Sequence, residues 1–372
     1  MTTASLLNRA CRRAATSLLS ADASLRALSR VPGRGAVVLR YHSVNDDPVW
    51  ARETVQRSLV VPTAVFDEHL RFLVERRRVV SIGTIAEAVA GGRPLDPSWV
   101  AVTFDDGYED NHRNALPILR KHGVTAAFYV TTGCVGDERP LWTAWLRRAV
   151  MRAPGPALPV SFLEGGATDV STERARERAV RQLTGFVKRC DAPRARAAFE
   201  EVLAATRSEG RPDRRVMMSW DEIRDLRRAG MTVGAHSVAH WNLPSLSDAD
   251  LEAEVRGSGE ALARETGGRV EHFSYPNGRT TCHFDARVAR AVAGAGYASA
   301  VTSVSGAVSR RLSAFAIPRL GVYERHCDVR RLALDIERAR LGRPADPCVE
   351  RVSRELRRTA GRHASGTRGE AL

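Results

Sequence analysis

The stretch V-A-V-T-F-D-D-G-Y, Val100 to Tyr108, decides the fold. Its apolar, β-branched start reads as a buried strand, and it ends in two adjacent carboxylates and a glycine. In α/β barrels, functional groups gather where strands end, at the carboxyl edge of the sheet. Alone, the same stretch reads equally well as a plain Asp-Gly turn. Its surroundings decide. Short apolar runs alternate with segments of helical period on both sides. Candidate strands are Ala36–Tyr41, Val79–Ile82, Trp99–Phe104, Val124–Val130, Met231–Ala235, Val270–Tyr275, Tyr297–Thr302 and Ala316–Leu320. Helical patterns fall at Ala64–Arg77, Asn111–His122 and Phe284–Gly294. Ser219 with Glu222 forms a capping-box start for a helix from Trp220 to Ala229, and Ser247 starts another. Such alternation implies a parallel sheet, and about eight units favour closure into a barrel. The stretch Glu138–Met218 breaks the rhythm and reads as a helical insertion in one barrel loop.

Three further motifs also follow predicted strands. In G-A-H-S-V-A-H, Gly234 to His240, a helical turn would put His236 and His240 at i and i+4 on one face. That spacing can bring two imidazoles to one metal ion, although an isolated H-x-x-x-H is more often a surface loop. F-S-Y-P-N-G, Phe273 to Gly278, reads as a strand closed by a rigid turn, and L-R-Y-H-S-V, Leu39 to Val44, as a strand end carrying a histidine. A barrel would gather all four motifs on one rim. One carboxylate with two histidines then makes a three-ligand set with open coordination positions. The second carboxylate stays free to act as a base.

In these residues the chain resembles the polysaccharide deacetylase family, the carbohydrate esterase group with the NodB homology domain. Its hallmarks are matched by T-F-D-D-G-Y at Thr103–Tyr108, H-S-V-A-H at His236–His240 and F-S-Y-P-N-G at Phe273–Gly278, and the likeness spans roughly Gly35 to Arg340. The resemblance implies an α/β fold, a distorted, incomplete (β/α) barrel of about seven to eight units. It implies a metal-dependent hydrolase that removes N-acetyl or O-acetyl groups from an N-acetylated sugar or polysaccharide. Asp105 would be the general base, and Asp106, His236 and His240 would hold a divalent metal, zinc by preference. The backbone N–H of Asn277 would be an oxyanion donor. Two departures stand out. Ser274 occupies the place of the family arginine that orients the base, a role open to Arg319 in I-P-R-L. No late L-x-H motif is present, and the early Tyr41-His42 resembles a branch that includes biofilm poly-N-acetylglucosamine deacetylases, so His42 takes the acid role. Tyr108, Trp241, Tyr275 and Arg319 are candidate substrate contacts.

The 372 residues carry 57 Lys and Arg against 43 Asp and Glu, a formal charge of +14. This balance favours anionic neighbours without choosing among nucleic acid, lipid and glycan. Neither a helix-turn-helix, a zinc finger nor an RNP-like strand is evident, so nucleic acid is not an expected partner. Two histidines and a carboxylate also suit a non-haem iron oxygenase, but the doubled aspartate fits hydrolysis better. A catalytically inactive glycan-binding relative is the remaining alternative. Six scattered cysteines form no C-x-x-C pair. The expected organisation is a basic helical segment over 1–30, a barrel domain over 31–345 with the 138–218 insertion, and a flexible basic tail over 346–372. The start of the chain reads as a basic segment rather than a signal peptide. A cytoplasmic protein, peripheral at the inner face of an anionic membrane and acting on an N-acetylated glycan or lipid-linked sugar, is the corresponding expectation.

Overall fold

A computed structural model describes residues 22–137, 141–207, 214–277, 283–342 and 346–366. Eight strands form one sheet: β1 (Val37–Tyr41), β2 (Arg78–Val79), β3 (Trp99–Phe104), β4 (Ala126–Val130), β5 (Thr232–Ala235), β6 (His272–Ser274), β7 (Ser299–Val301) and β8 (Leu320–Gly321). Their order is β7-β6-β5-β4-β3-β1-β8, with β2 beside the start of β3, and every pairing is parallel. The sheet curls until its ends meet. The N–H of Thr302 donates to the Ile317 carbonyl at 2.8 Å, and Ile317 leads directly into β8. This is the distorted parallel barrel expected from the strand–helix alternation.

The strands alternate between two packing layers, as the pleat requires. Val37, Leu39 and Tyr41 of β1, Val100, Val102 and Phe104 of β3, and Phe128 and Val130 of β4 share one core with the covering helices. Val38, Ala101, Ala127, Tyr129, Val301 and Ile317 belong to a second, smaller cluster, which also includes Ile82 and Ile85 of helix Ile82–Ala90. Following that second set toward the carboxyl ends of the strands leads to Arg40 and His42, Thr103 and Asp105, and Gly234 and His236. The same period of two that fills the barrel interior therefore delivers the polar residues to its mouth. Small residues make room inside. A Cβ on Gly234 would meet the Tyr129 ring at 2.6 Å.

Several local expectations need correction. The helix expected over Asn111–His122 opens with a π-helical turn, Asn111–Ala115, before the α-helix Leu116–Lys121. The Asn111 amide Nδ2 then donates to the His42 carbonyl at 2.7 Å, tying this irregular turn to the barrel mouth. The insertion contains helices Trp142–Met151, Glu173–Arg189 and Ala192–Ala205, but also an antiparallel strand pair, Ala157–Pro159 with Ala167–Asp169. Leu146, Leu183, Phe199 and Val202 join the barrel's own core, so the insertion packs as part of it. The stretch expected as a flexible tail holds a helix, Pro347–Gly366, in which Val349 and Val352 are buried. Their spacing of three residues puts both on one face. Of the 1–30 segment, helix Asp22–Arg30 is seen, and residues 1–21 lie outside the described residues. No described helix is long and apolar enough to cross a membrane.

Candidate active site

The two aspartates after β3 go separate ways because the backbone turns between them. Asp106 has φ 74° and Gly107 has φ 90°. Left-handed backbone is rare for an aspartate, and consecutive left-handed residues break the strand sharply. Asp105 keeps to the barrel interior. Arg319 Nη1 and Nη2 donate to its two carboxylate oxygens at 2.7 Å each, and Ser274 Oγ donates at 3.1 Å. Arg319 is fully buried, and it also donates to the Thr302 carbonyl (2.8 Å), Thr103 Oγ1 (3.1 Å) and Ser274 Oγ (2.9 Å). Burial alone would raise the Asp105 pKa, but the Arg319 charge, with help from His236, holds it well below the usual carboxylate range. Asp105 is ionised and fixed in position at neutral pH.

Asp106 meets the histidine pair instead. Its Oδ1 lies 3.4 Å from Nε2 of both His236 and His240. Ligand atoms of these three buried residues all lie within 4.8 Å of one another. The expected helical turn is absent; His236 to His240 form an irregular loop after β5. Ser237 and His240 both take left-handed backbone, with φ 63° and 60°. The loop is held from two sides. Glu254 Oε2, buried on helix Asp248–Thr266, accepts from the N–H of Val238 (2.9 Å) and Ala239 (2.8 Å). The N–H of Thr132 and Gly133 donate to the carbonyls of Ser237 and Val238. Of the six non-glycine residues with positive φ among the described residues, Asp106, Ser237, His240 and Asn277 stand in or beside this cluster. Strain concentrated in this way marks sites whose geometry is enforced by the surrounding fold.

The cluster fits a divalent cation. A tetrahedral zinc with bonds of ~2.0–2.1 Å separates its ligand atoms by ~3.3–3.4 Å, the spacing found between Asp106 Oδ1 and each imidazole. His236 Nδ1 lies 2.7 Å from the Ser274 carbonyl, which can only accept, so the proton sits on Nδ1 and Nε2 offers its lone pair to the cluster. Burial raises and the two histidines more strongly lower the Asp106 pKa, leaving it well below the ordinary range. Burial lowers that of His240. Both shifts favour the protonation states that ligation needs.

A cavity of about 580 Å³ opens above these groups. Among the residues lining it are His42, Tyr108 and Asn277. Burial pushes the His42 pKa down to about 4, against the pull of Asp106, and its Nδ1 has no hydrogen-bond partner. The buried Asn277 Nδ2 is also unpartnered, and Gly278 lies outside the described residues. Burial, reinforced by Asp106, raises the Tyr108 phenol well above its usual value.

Three expected substrate contacts are placed elsewhere. Arg319 is sealed beneath Asp105, where it fills the role left open by Ser274. Tyr275 is fully buried, stacks on Phe284 at 4.9 Å and donates to the Phe315 carbonyl at 2.8 Å. Trp241 stacks on Trp142 at 5.8 Å and 6°, so it joins the rim to the insertion rather than lining the cavity. Sequence reasoning missed Arg40, Tyr323, Lys188 and Glu254. Arg40 was within reach, since it stands two residues before His42 on the same strand face. Glu254 carried a signal too, a carboxylate among Leu251, Val255 and Ser258 on a buried helix face. Lys188 carried none, being one cation on a highly charged helix.

Fold and site together define a class: parallel α/β barrels that gather a three-residue cation site and a separate aspartate at the carboxyl rim. Within that class the chain belongs to the polysaccharide deacetylase family, whose model matches residues 92–155 and 186–300, including both the aspartate and the histidine motifs. A poly-β-1,6-N-acetyl-D-glucosamine N-deacetylase of Escherichia coli is 37% identical over 98 residues, covering 26% of this chain and 14% of that protein. The chain thus matches only a small part of that relative's length. Among solved structures, a Streptococcus pyogenes deacetylase in complex with acetate aligns with TM-score 0.53 at 17% identity, over 81% of this chain and 98% of that one. A Bacillus cereus polysaccharide deacetylase aligns with TM-score 0.52 at 18% identity, over 82% and 69%. At these identities the structural likeness establishes the fold.

Proposed function

We propose that the protein hydrolyses the acetamide (or acetyl ester) of an N-acetylated sugar or polysaccharide, with a divalent cation, zinc, held by Asp106, His236 and His240. The observation that carries this reading is the cluster of those three residues beside Asp105, a carboxylate committed to Arg319 and Ser274 rather than to the cluster. The bound cation would acidify a water and polarise the acetyl carbonyl. Asp105 accepts a proton from the attacking water, and such general-base assistance is worth ~10²–10⁴-fold. The backbone N–H of Asn277 donates to the oxyanion, and one such donor is worth roughly 3–4 kcal/mol. His42 passes a proton to the departing nitrogen as the C–N bond breaks, giving acetate and a free amine. At rest it is neutral at pH 7, because burial holds its pKa at about 4. Negative charge building on the substrate favours uptake of a proton from solvent water by His42 before the C–N bond breaks, and that proton is the one passed to the nitrogen. Tyr108, above Asp106 in the cavity, is the remaining candidate substrate contact.

The inactive glycan-binding alternative was motivated by the missing arginine and late histidine. Arg319, bonded to both Asp105 oxygens, and His42, lining the cavity, are the residues that support turnover over that alternative. The test is mass spectrometry of N-acetylglucosamine oligomers incubated with zinc-loaded protein, with Asp105→Asn as control. Loss of acetyl groups with wild type alone supports the reading. No loss with either, despite bound metal, refutes it. A cytoplasmic location at an anionic membrane face is part of the same proposal, motivated by the charge of +14. Failure to sediment with anionic liposomes at low salt would remove that part.

A further inference from the structure

The two histidines of the cluster are held in different ways. His236 is fixed through its own ring, with Nδ1 on the Ser274 carbonyl at 2.7 Å. The His240 ring has no such support, because its Nδ1 is buried without a hydrogen-bond partner among the described residues. A ligating imidazole ordinarily takes its orientation from the group bonded to its second nitrogen. For His240 the orientation must come from the backbone instead, and that backbone is left-handed, with φ 60°. On its amino side Ser237 Oγ accepts from the His240 N–H at 3.0 Å. On its carboxyl side the support comes from the insertion. Trp142, the first residue of helix Trp142–Met151, donates from its indole Nε1 to the His240 carbonyl at 3.0 Å. Among the described residues no other donor reaches that carbonyl. Trp241 follows, with its ring 6° from parallel to that of Trp142 and the Arg196 guanidinium of helix Ala192–Ala205 5.9 Å from its centroid. Asn242 comes next and donates from Nδ2 to the Lys188 carbonyl at 2.9 Å, in the last turn of helix Glu173–Arg189, where carbonyls lack helical partners. Three consecutive residues, beginning with a member of the cluster, thus meet all three described helices of the insertion.

A plain core aromatic at position 142 would fill the same space, but only the indole brings an N–H to the His240 carbonyl. A buried carbonyl without a donor carries the full cost of its desolvation, so the peptide after His240 would turn to find one. The bond from Trp142 sets that peptide plane, and with it the strained backbone from which the imidazole projects toward Asp106, its Nε2 3.4 Å from Asp106 Oδ1. We infer that Trp142 is a positioning residue for His240, and that the insertion, besides walling the cavity, supplies part of the support of the cation site. Its buried edge serves the rim while its exposed flank faces the cavity. The inference rests on the reading of Asp106, His236 and His240 as that site.

The test compares Trp142→Phe with Trp241→Phe in the full chain. Each shortens one member of the same stack and leaves an aromatic pair, and only the first takes a donor from His240. Zinc affinity is measured by competition with a chelator, and the visible spectrum of the cobalt(II)-loaded chain reports the geometry of the ligands. Trp142→Phe is expected to weaken zinc binding by ~10–100-fold and to shift the cobalt bands at saturation. Trp241→Phe is expected to leave both near wild type, while the urea midpoints of the two metal-free variants fall alike. Asn242→Ala, at a half-buried position, is expected to weaken zinc binding by a smaller factor, and it tests the insertion's hold should Trp142→Phe fail to fold. Equal losses of zinc affinity in the two ring variants, or cobalt bands unmoved in Trp142→Phe, would overturn the inference, as would wild-type zinc affinity in Asn242→Ala. Acetate release from an N-acetylated sugar, with zinc affinity indifferent to Trp142, leaves the deacetylase reading standing and removes this one. Zinc binding that depends on Trp142, without acetate release from any such sugar, does the reverse.

Discussion

The barrel rim and the insertion face each other across one cavity and are built on opposite principles. The rim fixes its groups with strained backbone: Asp106, Ser237, His240 and Asn277 all adopt φ between 60° and 74°. Its ionised groups are buried and bonded to one another. The insertion uses ordinary helices, and its polar groups at the cavity, Thr184, Lys188 and Arg189, are partly or fully exposed on a helix flank. Rigid, desolvated geometry suits bond breaking, where small displacements are expensive. Exposed cations on a helix suit recognition, where partners vary and charge alone gives part of the selectivity. The contrast assigns chemistry to the rim and selectivity to the insertion.

The assignment can be broken most directly at the rim. His236→Ala removes a ligand and is expected to abolish both stoichiometric zinc binding and acetate release, read by metal analysis and a coupled acetate assay. Retained activity with bound zinc would end the account. Asp105→Asn is expected to lower kcat by ~10²–10⁴-fold while zinc still binds. Loss of zinc in that variant would mean that Asp105 is a ligand. Arg319→Met removes the charge that keeps Asp105 ionised. With burial then opposed only by the weaker pull of His236 and His42, the acidic limb of the pH–rate profile should move up in pH, and stability should fall by about 3–5 kcal/mol because a buried carboxylate loses its main partner. An unmoved limb with lower activity would make Arg319 merely structural. Glu254→Ala frees the N–H groups of Val238 and Ala239 and should weaken zinc binding by ~10–100-fold, with Glu254→Gln recovering most of it.

A smaller effect concerns the footing of the rim. Asp110 is fully buried beneath it and accepts from Ser43 Oγ at 2.5 Å and Asn45 Nδ2 at 3.1 Å. Burial outweighs these bonds and raises its pKa from 3.8 to about 7. The folded state therefore holds its proton over a range where the unfolded chain has released it. Stability from this group is present below the lower value and is lost as pH rises through the upper one. Relative to Asp110→Asn, the wild type should lose stability between those two values, read as urea midpoints. A constant difference would contradict the burial argument.

The same contrast explains what the sequence made legible. The strands were readable because the barrel core demands apolar runs of fixed parity. The Asp pair, the His pair and His42 were readable because each closes such a run. The turn geometry was not. H-S-V-A-H suggests a helical turn by spacing, yet two left-handed residues and the Glu254 carboxylate override it. Arg319 was visible as a substitute for the missing arginine, but its complete burial, and so its separation from substrate, follows from the closing contact between β7 and the chain leading to β8. Tyr275 and Trp241 sit beside motif residues in sequence, yet alternation turns the first into the core, and the insertion covers the second. Lys188 is unmarked in sequence because exposed helix faces tolerate many cations for no local reason.

Anomalous diffraction at the zinc edge, from crystals grown with zinc, tests the central arrangement most directly. The account predicts one strong peak within about 2.0–2.2 Å of Asp106 Oδ1 and both Nε2 atoms of His236 and His240, with Asp105 still paired to Arg319. A peak bonded to Asp105, or none between the two histidines, would contradict it.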